Sequence, residues 1–387
     1  MTERLYFRDS YLTEFRARLV EAGDAGRRVY LDRTAFYPTS GGQPFDLGRL
    51  GSSQVVDVVE EGERIAHILD APLSGEEVDC RIDWTRRFDH MQQHTGQHLL
   101  SAVLLELFDH RTVGFHLGEE SSTIDIDAPS LELGQVREAE RRVNRLVVEN
   151  RPVRLLFADS SQDLGLRKAS QREGELRVVE IEGIDRSACG GTHVRSTGEI
   201  GLVQIRKLDK IRGNVRIEFL CGLRAAARAR ADYEALSQIG RSLSAPLDET
   251  PALVATELER WNDAEKARKK LAAELARFHG QEMYDATPPG EDGFRRILRR
   301  VPKGAIDDEL RILAQGFAAR SRAVFIAVVE EPPSVLLCVS ADAGIHAGNV
   351  LRAALVALGG RGGGNAQLAQ GSVASREALA AVQSAIG

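Results

Sequence analysis

Cysteine is scarce in this chain. Its 387 residues include four, Cys80, Cys189, Cys221 and Cys338. They are too few and too scattered for a disulfide framework, so a reducing, cytoplasmic setting is expected. No run of eighteen apolar residues occurs, which excludes a membrane-spanning helix by hydropathy. The opening Met1-Thr2-Glu3-Arg4-Leu5 lacks the apolar stretch of a secretory signal. Aromatic residues make up only 5%, which argues against a surface built to stack single-stranded bases. Positive charge does not dominate either. The net charge is −6, so any contact with phosphates must rest on local clusters. Two are present: Arg206, Lys207, Lys210, Arg212, Arg216, Arg224, Arg228 and Arg230 within 201–230, and Arg295-Arg296 with Arg299-Arg300 and Lys303. Each could equally be a solvated face. The glycine run at 359–364 reads as a flexible loop whose amides could approach phosphates. It lacks the lysine and threonine of a P-loop, which excludes a nucleoside triphosphatase on that motif.

What is present is ample apolar content, 43%, over a length that suits several domains. Residues 1–86 alternate short strand-like runs, such as Val29-Tyr30-Leu31 and Val55-Val56-Asp57-Val58-Val59, with frequent turns. A small β-barrel is the simplest closure. From 89 to 108, Leu99, Leu100, Val103, Leu104, Leu107 and Phe108 follow helical spacing. The preceding turn is polar, so the buried stripe is expected to begin after it. A second helix at about 132–150 and strands at 176–181, 203–205 and 215–219 make 87–221 an α+β domain. Residues 222–286 read as a helical arm or coiled-coil pair broken near 244–249, with Thr250-Pro251 as a helix start. Residues 287–387 read as a C-terminal α/β domain. The fold class is therefore α+β in four parts: barrel, central α+β domain, helical arm and C-terminal domain.

Two segments carry chemistry. His94-Thr95-Gly96-Gln97-His98 places two imidazoles one helical turn apart on one face. Cys189-Gly190-Gly191-Thr192-His193 places a thiol and an imidazole four positions apart, with two glycines between that let the backbone turn tightly. Either half alone is a weak pattern. Together they supply three nitrogens and one sulfur, a donor set that suits zinc. Four protein donors could also close a purely structural site. Gly41-Gly42 is read as a tight turn, either an ordinary barrel turn or part of a pocket.

These motifs resemble those of the alanyl-tRNA editing proteins of the AlaX group, long form, which are related to the editing and C-terminal parts of alanyl-tRNA synthetase. The resemblance rests on the run from Phe36 to Pro44, on His94-Thr95-Gly96-Gln97-His98-Leu99-Leu100, on Cys189-Gly190-Gly191-Thr192-His193, on Arg216-Ile217-Glu218-Phe219, and on the glycine run with Ala369-Gln370-Gly371. The segments occur in the family's order and cover nearly the whole chain. The resemblance implies zinc at His94, His98, Cys189 and His193, and a zinc-containing editing domain at 87–221. It implies hydrolysis of the ester between serine or glycine and alanine tRNA. It also implies a C-terminal domain that aids tRNA capture, with a homodimer through that domain or the arm. One departure is Gln97, where the synthetase editing domain often has threonine.

Serine exceeds alanine by one hydroxyl, and only a site that hydrogen-bonds that hydroxyl rejects alanine strongly. By resemblance, Thr112 and His116 stand at the right distance after His98 to sense it. Gly41, Gly42 and Gln43 would shape the pocket, and Arg206, Lys207, Lys210, Arg212 and Arg361 would meet tRNA. The competing reading is a non-catalytic, zinc-stabilised tRNA- or RNA-binding protein. A whole aminoacylating synthetase is not expected, because the barrel stands where its catalytic domain would precede the zinc segments.

Overall fold

The computed structural model describes residues 1–169 and 174–386. The chain divides into two compact units, Met1–Gln238 and Ile239–Gly387. In the first, six short strands close into a barrel. Round the ring they run Glu14–Gly23, Arg28–Leu31, Arg64–Leu69, Ser53–Glu61, Gly48–Leu50 and Glu77–Ile82, which pairs back to the first. The last strand shows the cause: Val78, Cys80 and Ile82 point inward while the residues between them are exposed. They join Val29, Leu31, Leu50, Val55, Val58, Ile65 and Leu69 in one apolar core, and closure leaves no unpaired edge.

Helix α1, Trp84–Phe108, starts where the Asp83 carboxylate accepts from the Arg86 amide at 3.2 Å. It stops at Asp109, which takes the left-handed conformation with φ 54°. The sequence reading placed burial only after the histidine turn. In the structure every residue from His90 to Leu104 is buried. Buried polar side chains are tolerated when their hydrogen bonds are met, and most here are. Gln93 donates to the Cys221 carbonyl at 3.0 Å and accepts from its amide at 2.9 Å. Gln92 donates to the Glu199 carbonyl at 2.8 Å, and Thr95 accepts from the Val194 amide at 3.2 Å. Gly96 is required by packing, because a Cβ there would fall 2.2 Å from the Cys221 sulfur.

Two antiparallel sheets flank α1. One has the order Val203–Ile211, Asn214–Cys221, Ser122–Ile126, Thr112–Leu117; the other Val153–Asp159, Glu175–Ile181, Asp185–Ala188. Helix α2, Leu133–Val148, lays Ala139, Val143, Leu146 and Val147 against the same core as Leu99, Leu100, Val103 and Leu104 of α1. In the pairing of Ser122–Ile126 with Thr112–Leu117, Asp125 opposes Gly114 while Ile126 opposes Thr112. Val113 is therefore an extra residue, a bulge that inverts the facing of everything before it.

The unit boundary falls within α3, Gly222–Ser242. In the second unit α4, Thr250–Ala286, packs on α5, Asp308–Ala318. The contact is close because glycines meet backbone: a Cβ on Gly280 would lie 2.2 Å from the Leu313 carbonyl, and one on Gly316 2.5 Å from that of Arg277. Leu258, Trp261, Leu271, Leu275 and Phe278 of α4 stay exposed. A five-stranded sheet follows, ordered Arg295–Val301, Ala323–Val329, Ser334–Val339, Leu368–Ser372, Arg361–Gly364, with α6, Ala347–Ala357, and α7, Arg376–Ile386. The glycine run, expected as a flexible loop, is instead the edge strand Arg361–Gly364. Glycine is needed there for packing, since a Cβ on Gly362 would lie 2.5 Å from Leu355 of α6 and 2.6 Å from the Gln370 carbonyl. Among the described residues no helix is long and apolar enough to cross a membrane.

Candidate metal centre

Four side chains converge between α1 and the glycine-hinged turn that follows Asp185–Ala188. They are His94, His98, Cys189 and His193, and their ligand atoms all lie within 4.8 Å of one another. The Cys189 sulfur stands 3.5 Å from His94 Nε2 and 3.4 Å from His193 Nε2. Tetrahedral zinc, with bonds of about 2.0–2.3 Å, separates its donors by roughly 3.3–3.8 Å, so these spacings match. The ring centroids of His94, His98 and His193 are 4.3–5.2 Å apart.

Each imidazole has its Nδ1 held by a second group, which leaves Nε2 for the centre. Nδ1 of His94 meets Gln43 Oε1 at 2.8 Å, that of His193 meets Thr95 Oγ1 at 3.1 Å, and that of His98 meets Asp185 Oδ2 at 3.2 Å. Asp185 is in turn held by Arg167 at 2.7 Å and Ser187 at 2.9 Å. This is the outer-shell pattern that fixes ring tautomer and orientation in metal sites. The donor set, the two sulfur–nitrogen spacings and the held rings fit zinc.

The glycines of the second segment have distinct reasons. A Cβ on Gly191 would fall 2.2 Å from the His94 ring and 2.9 Å from Gln43 Oε1. Any side chain there would displace a ligand and its support together. Gln43 also donates to Thr192 Oγ1 at 2.8 Å and accepts from the Thr192 amide at 3.1 Å. The barrel loop is thereby tied to the cysteine turn. Gly42 sits under Phe115, where a Cβ would approach to 2.7 Å, and has φ +87°.

Electrostatics favour a thiolate. Burial would push the Cys189 thiol up, but the adjacent His94 and His193 outweigh it and hold it well below its usual value. Burial, then the proximity of His94, holds His193 well below the usual imidazole range. Burial acts in the same direction on His98, yet hydrogen bonds to Asp185 and Cys189 prevail and raise it to about 9. The proton on His98 is the one a divalent cation would displace. We expect Asp185→Ala to weaken zinc binding about 10- to 100-fold, read by competition with a chromophoric chelator. Unchanged affinity would show that Asp185 does not orient His98.

A cavity of about 650 Å³ adjoins the cluster. His98 and Cys189 form part of its wall, with Gly41, Gln97, Thr112, Phe115 and Arg177. Thr112 lines it and His116 does not: His116 is exposed on the opposite face of the strand. The bulge at Val113 separates them, a shift invisible to simple alternation. Of the basic residues, Arg206 is paired with Asp232, and Lys207 with Asp209 at 2.9 Å. Lys210 and Arg212 are exposed at the hairpin tip between Val203–Ile211 and Asn214–Cys221, and Arg361 is exposed in the second unit. Sequence reasoning missed Asp185, Thr95 and Arg177. Arg177 is nearly buried and donates to the Cys189 carbonyl at 2.6 Å and the Phe7 carbonyl at 2.9 Å. Thr95 was legible inside the histidine motif, but nothing in the spacing of Asp185 or Arg177 marks them.

Comparisons with known proteins bear on this centre. Residues 176–218 match the threonyl and alanyl tRNA synthetase second additional domain, and residues 295–387 match the DHHA1 domain. The chain is 31% identical to the alanyl-tRNA editing protein AlaX-L of Pyrococcus horikoshii, over 97% of this chain and 96% of that protein. It is 32% identical to the alanine–tRNA ligase of Pyrococcus abyssi over 96% of this chain but 42% of the ligase. With the alanyl-tRNA editing protein Aarsd1 of Mus musculus it shares 35% identity over 60% of this chain and 62% of that protein.

Proposed function

The chain belongs to the AlaX group of alanyl-tRNA editing proteins, and on that footing we propose that it hydrolyses the ester joining serine or glycine to the 3′-terminal adenosine of alanine tRNA, with zinc held by His94, His98, Cys189 and His193. The observation that carries the reading is the cavity itself: two of the four converging side chains, His98 and Cys189, form part of its wall. Its volume suits a terminal nucleoside with one small residue attached.

Bound zinc would supply Lewis acidity and a positive field beside the ester. The protein's own groups do the positioning. Gln43, Thr95 and Asp185 hold the three imidazoles in one orientation, so little rearrangement is needed when the ester arrives. Arg177 fixes the cysteine turn through the Cys189 carbonyl. Gly41 and Phe115, with Gly42 beneath the ring, shape the wall on the barrel side, and Thr112 contributes a hydroxyl to the same wall. An ester is already activated, so no side-chain nucleophile is required. Of the candidate phosphate contacts, Lys210 and Arg212 are exposed at a hairpin tip, whereas Arg206 and Lys207 have acidic partners.

One observation favours the alternative of a non-catalytic zinc-stabilised tRNA-binding protein: four protein donors can close the coordination sphere. Incubation with seryl-tRNA(Ala) separates the two. The hydrolase reading expects deacylation well above the buffer rate, abolished by a chelator at a concentration that leaves the far-ultraviolet circular dichroism unchanged. Tight tRNA binding with no deacylation would leave the alternative standing.

A further inference from the structure

Three aromatic rings line the cavity, Phe7, Phe115 and Phe157. Two are already engaged. Phe7 packs edge-on against Tyr6, with centroids 5.0 Å apart, and carries the Arg4 and Arg177 guanidinium groups, each 5.6 Å from its centroid. Phe115 lies 5.7 Å from the His94 ring and sits over Gly42. Phe157 has no ring or guanidinium against it among the described residues, and it is 45% exposed. Its place in the sheet makes that exposure unexpected. Side chains alternate along a strand, so Val153, Leu155 and Phe157 share one face of Val153–Asp159. Val153 is buried in the core that includes α1, and Leu155 packs against it. Phe157, next in that row, borders the cavity instead. In the strand pairing it stands opposite Arg177, which donates to the Cys189 carbonyl at 2.6 Å. Cross-strand neighbours are about 5 Å apart at Cβ, so a single side chain separates Phe157 from the cysteine turn.

We propose that Phe157 is the platform on which the terminal adenine stacks while the aminoacyl ester lies at the metal centre. The proposal rests on the editing reading above and names the residue that takes up the base of that substrate. Ester and base hang from opposite sides of one ribose. A site that receives the ester must therefore offer the base a surface one sugar's width away, and the open ring stands at such a remove. A base laid on an aromatic face leaves water and gains stacking without needing hydrogen-bond partners. Phe7 and Phe115 have neighbours against their rings. Phe157 is the cavity aromatic left uncovered.

The test crosses protein with substrate. The value of kcat/KM is measured for the full chain and for Phe157→Ala on two substrates: seryl-tRNA(Ala) with its terminal adenine, and the same molecule with no base on its terminal ribose. Zinc content and melting temperature are measured alongside. Stacking of one base on an aromatic side chain is worth about 5- to 150-fold. We expect Phe157→Ala to cost about tenfold or more on the natural end and less than about twofold on the abasic end, because both changes delete one interaction. Phe157→Tyr, which keeps a π face, should stay within about threefold of the parent, and Phe157→Leu, which keeps only apolar bulk, should fall with alanine. An equal cost of Phe157→Ala on both ends with zinc retained, the pattern of a residue that only shapes the wall, would overturn the proposal. So would a leucine variant that matches the parent. A second measurement uses the unmodified protein and does not depend on any variant folding. It should cleave the abasic seryl end at least about fivefold more slowly than the natural one. Equal rates would overturn the proposal and leave the editing reading intact. If the unmodified protein leaves natural seryl-tRNA(Ala) uncleaved, the editing reading fails and the proposal with it.

Discussion

Replacing Cys189 by alanine is expected to remove zinc and deacylation together. The sulfur is the only anionic donor in the cluster and stands 3.4–3.5 Å from two imidazole nitrogens. The Gly191 amide points at it from 3.4 Å, an orientation that supports a thiolate. Its removal leaves three buried imidazoles facing one another with no negative charge among them. Loss of an outer-shell partner costs about 10- to 100-fold in affinity or activity. Loss of the thiolate itself should exceed the upper end of that range in both zinc affinity and seryl-tRNA turnover. Cys80→Ala is the matched control, since that thiol lies in the barrel core and should leave zinc content unchanged. Metal analysis per chain and single-turnover deacylation read the two effects. A Cys189→Ala protein that keeps a full zinc complement and full rate would end the case for this cluster as the working centre.

Arg87→Ala carries the largest expected loss of stability. Arg87 and Asp46 are both fully buried. The guanidinium reaches the carboxylate through Nε at 3.0 Å and donates through Nη1 to the Ser10 carbonyl at 2.7 Å. The carboxylate also accepts from the Tyr37 amide at 2.6 Å. One ion pair thus joins α1 to the segment that leads from the Gly41-Gly42 turn back into the barrel strand Gly48–Leu50. Truncating the arginine strands the aspartate in a dry interior, and breaking such a pair costs about 3–5 kcal/mol. Urea unfolding of the zinc-loaded protein should show that loss. The Arg87→Met, Asp46→Leu double variant should recover part of it, because it leaves no unpaired charge. A single variant within about 0.5 kcal/mol of the parent, the usual range for surface changes, would show that the pair is not what anchors α1 to the barrel.

Much of the centre was legible in the residues themselves. Imidazoles at i and i+4 need only a helix to share a face, and paired glycines announce a place where something passes close to the backbone. Short alternating runs and frequent turns point to a small barrel, but not to its six strands or their order. Other features were not legible. The histidine turn looked like solvent-facing surface because its residues are polar. It is buried because Gln93 closes on the Cys221 backbone and Thr95 on the Val194 amide, partners 128 and 99 positions away. Thr112 and His116 looked equivalent under a two-residue period until one inserted residue put them on opposite faces. The glycine run looked flexible because glycine permits flexibility; packing against Leu355 makes it a strand.

The sequence alone determined which donors exist, that they suit zinc, and that one pair would ride on a helix and the other on a tight turn, because these depend on side-chain chemistry and local spacing. Tertiary structure decided which nitrogen of each ring faces the centre and which remote groups hold the other nitrogen. Those depend on contacts between segments as far apart as Gln43 and Thr192, separated by 149 positions, and no local pattern in a chain encodes a distance of that kind.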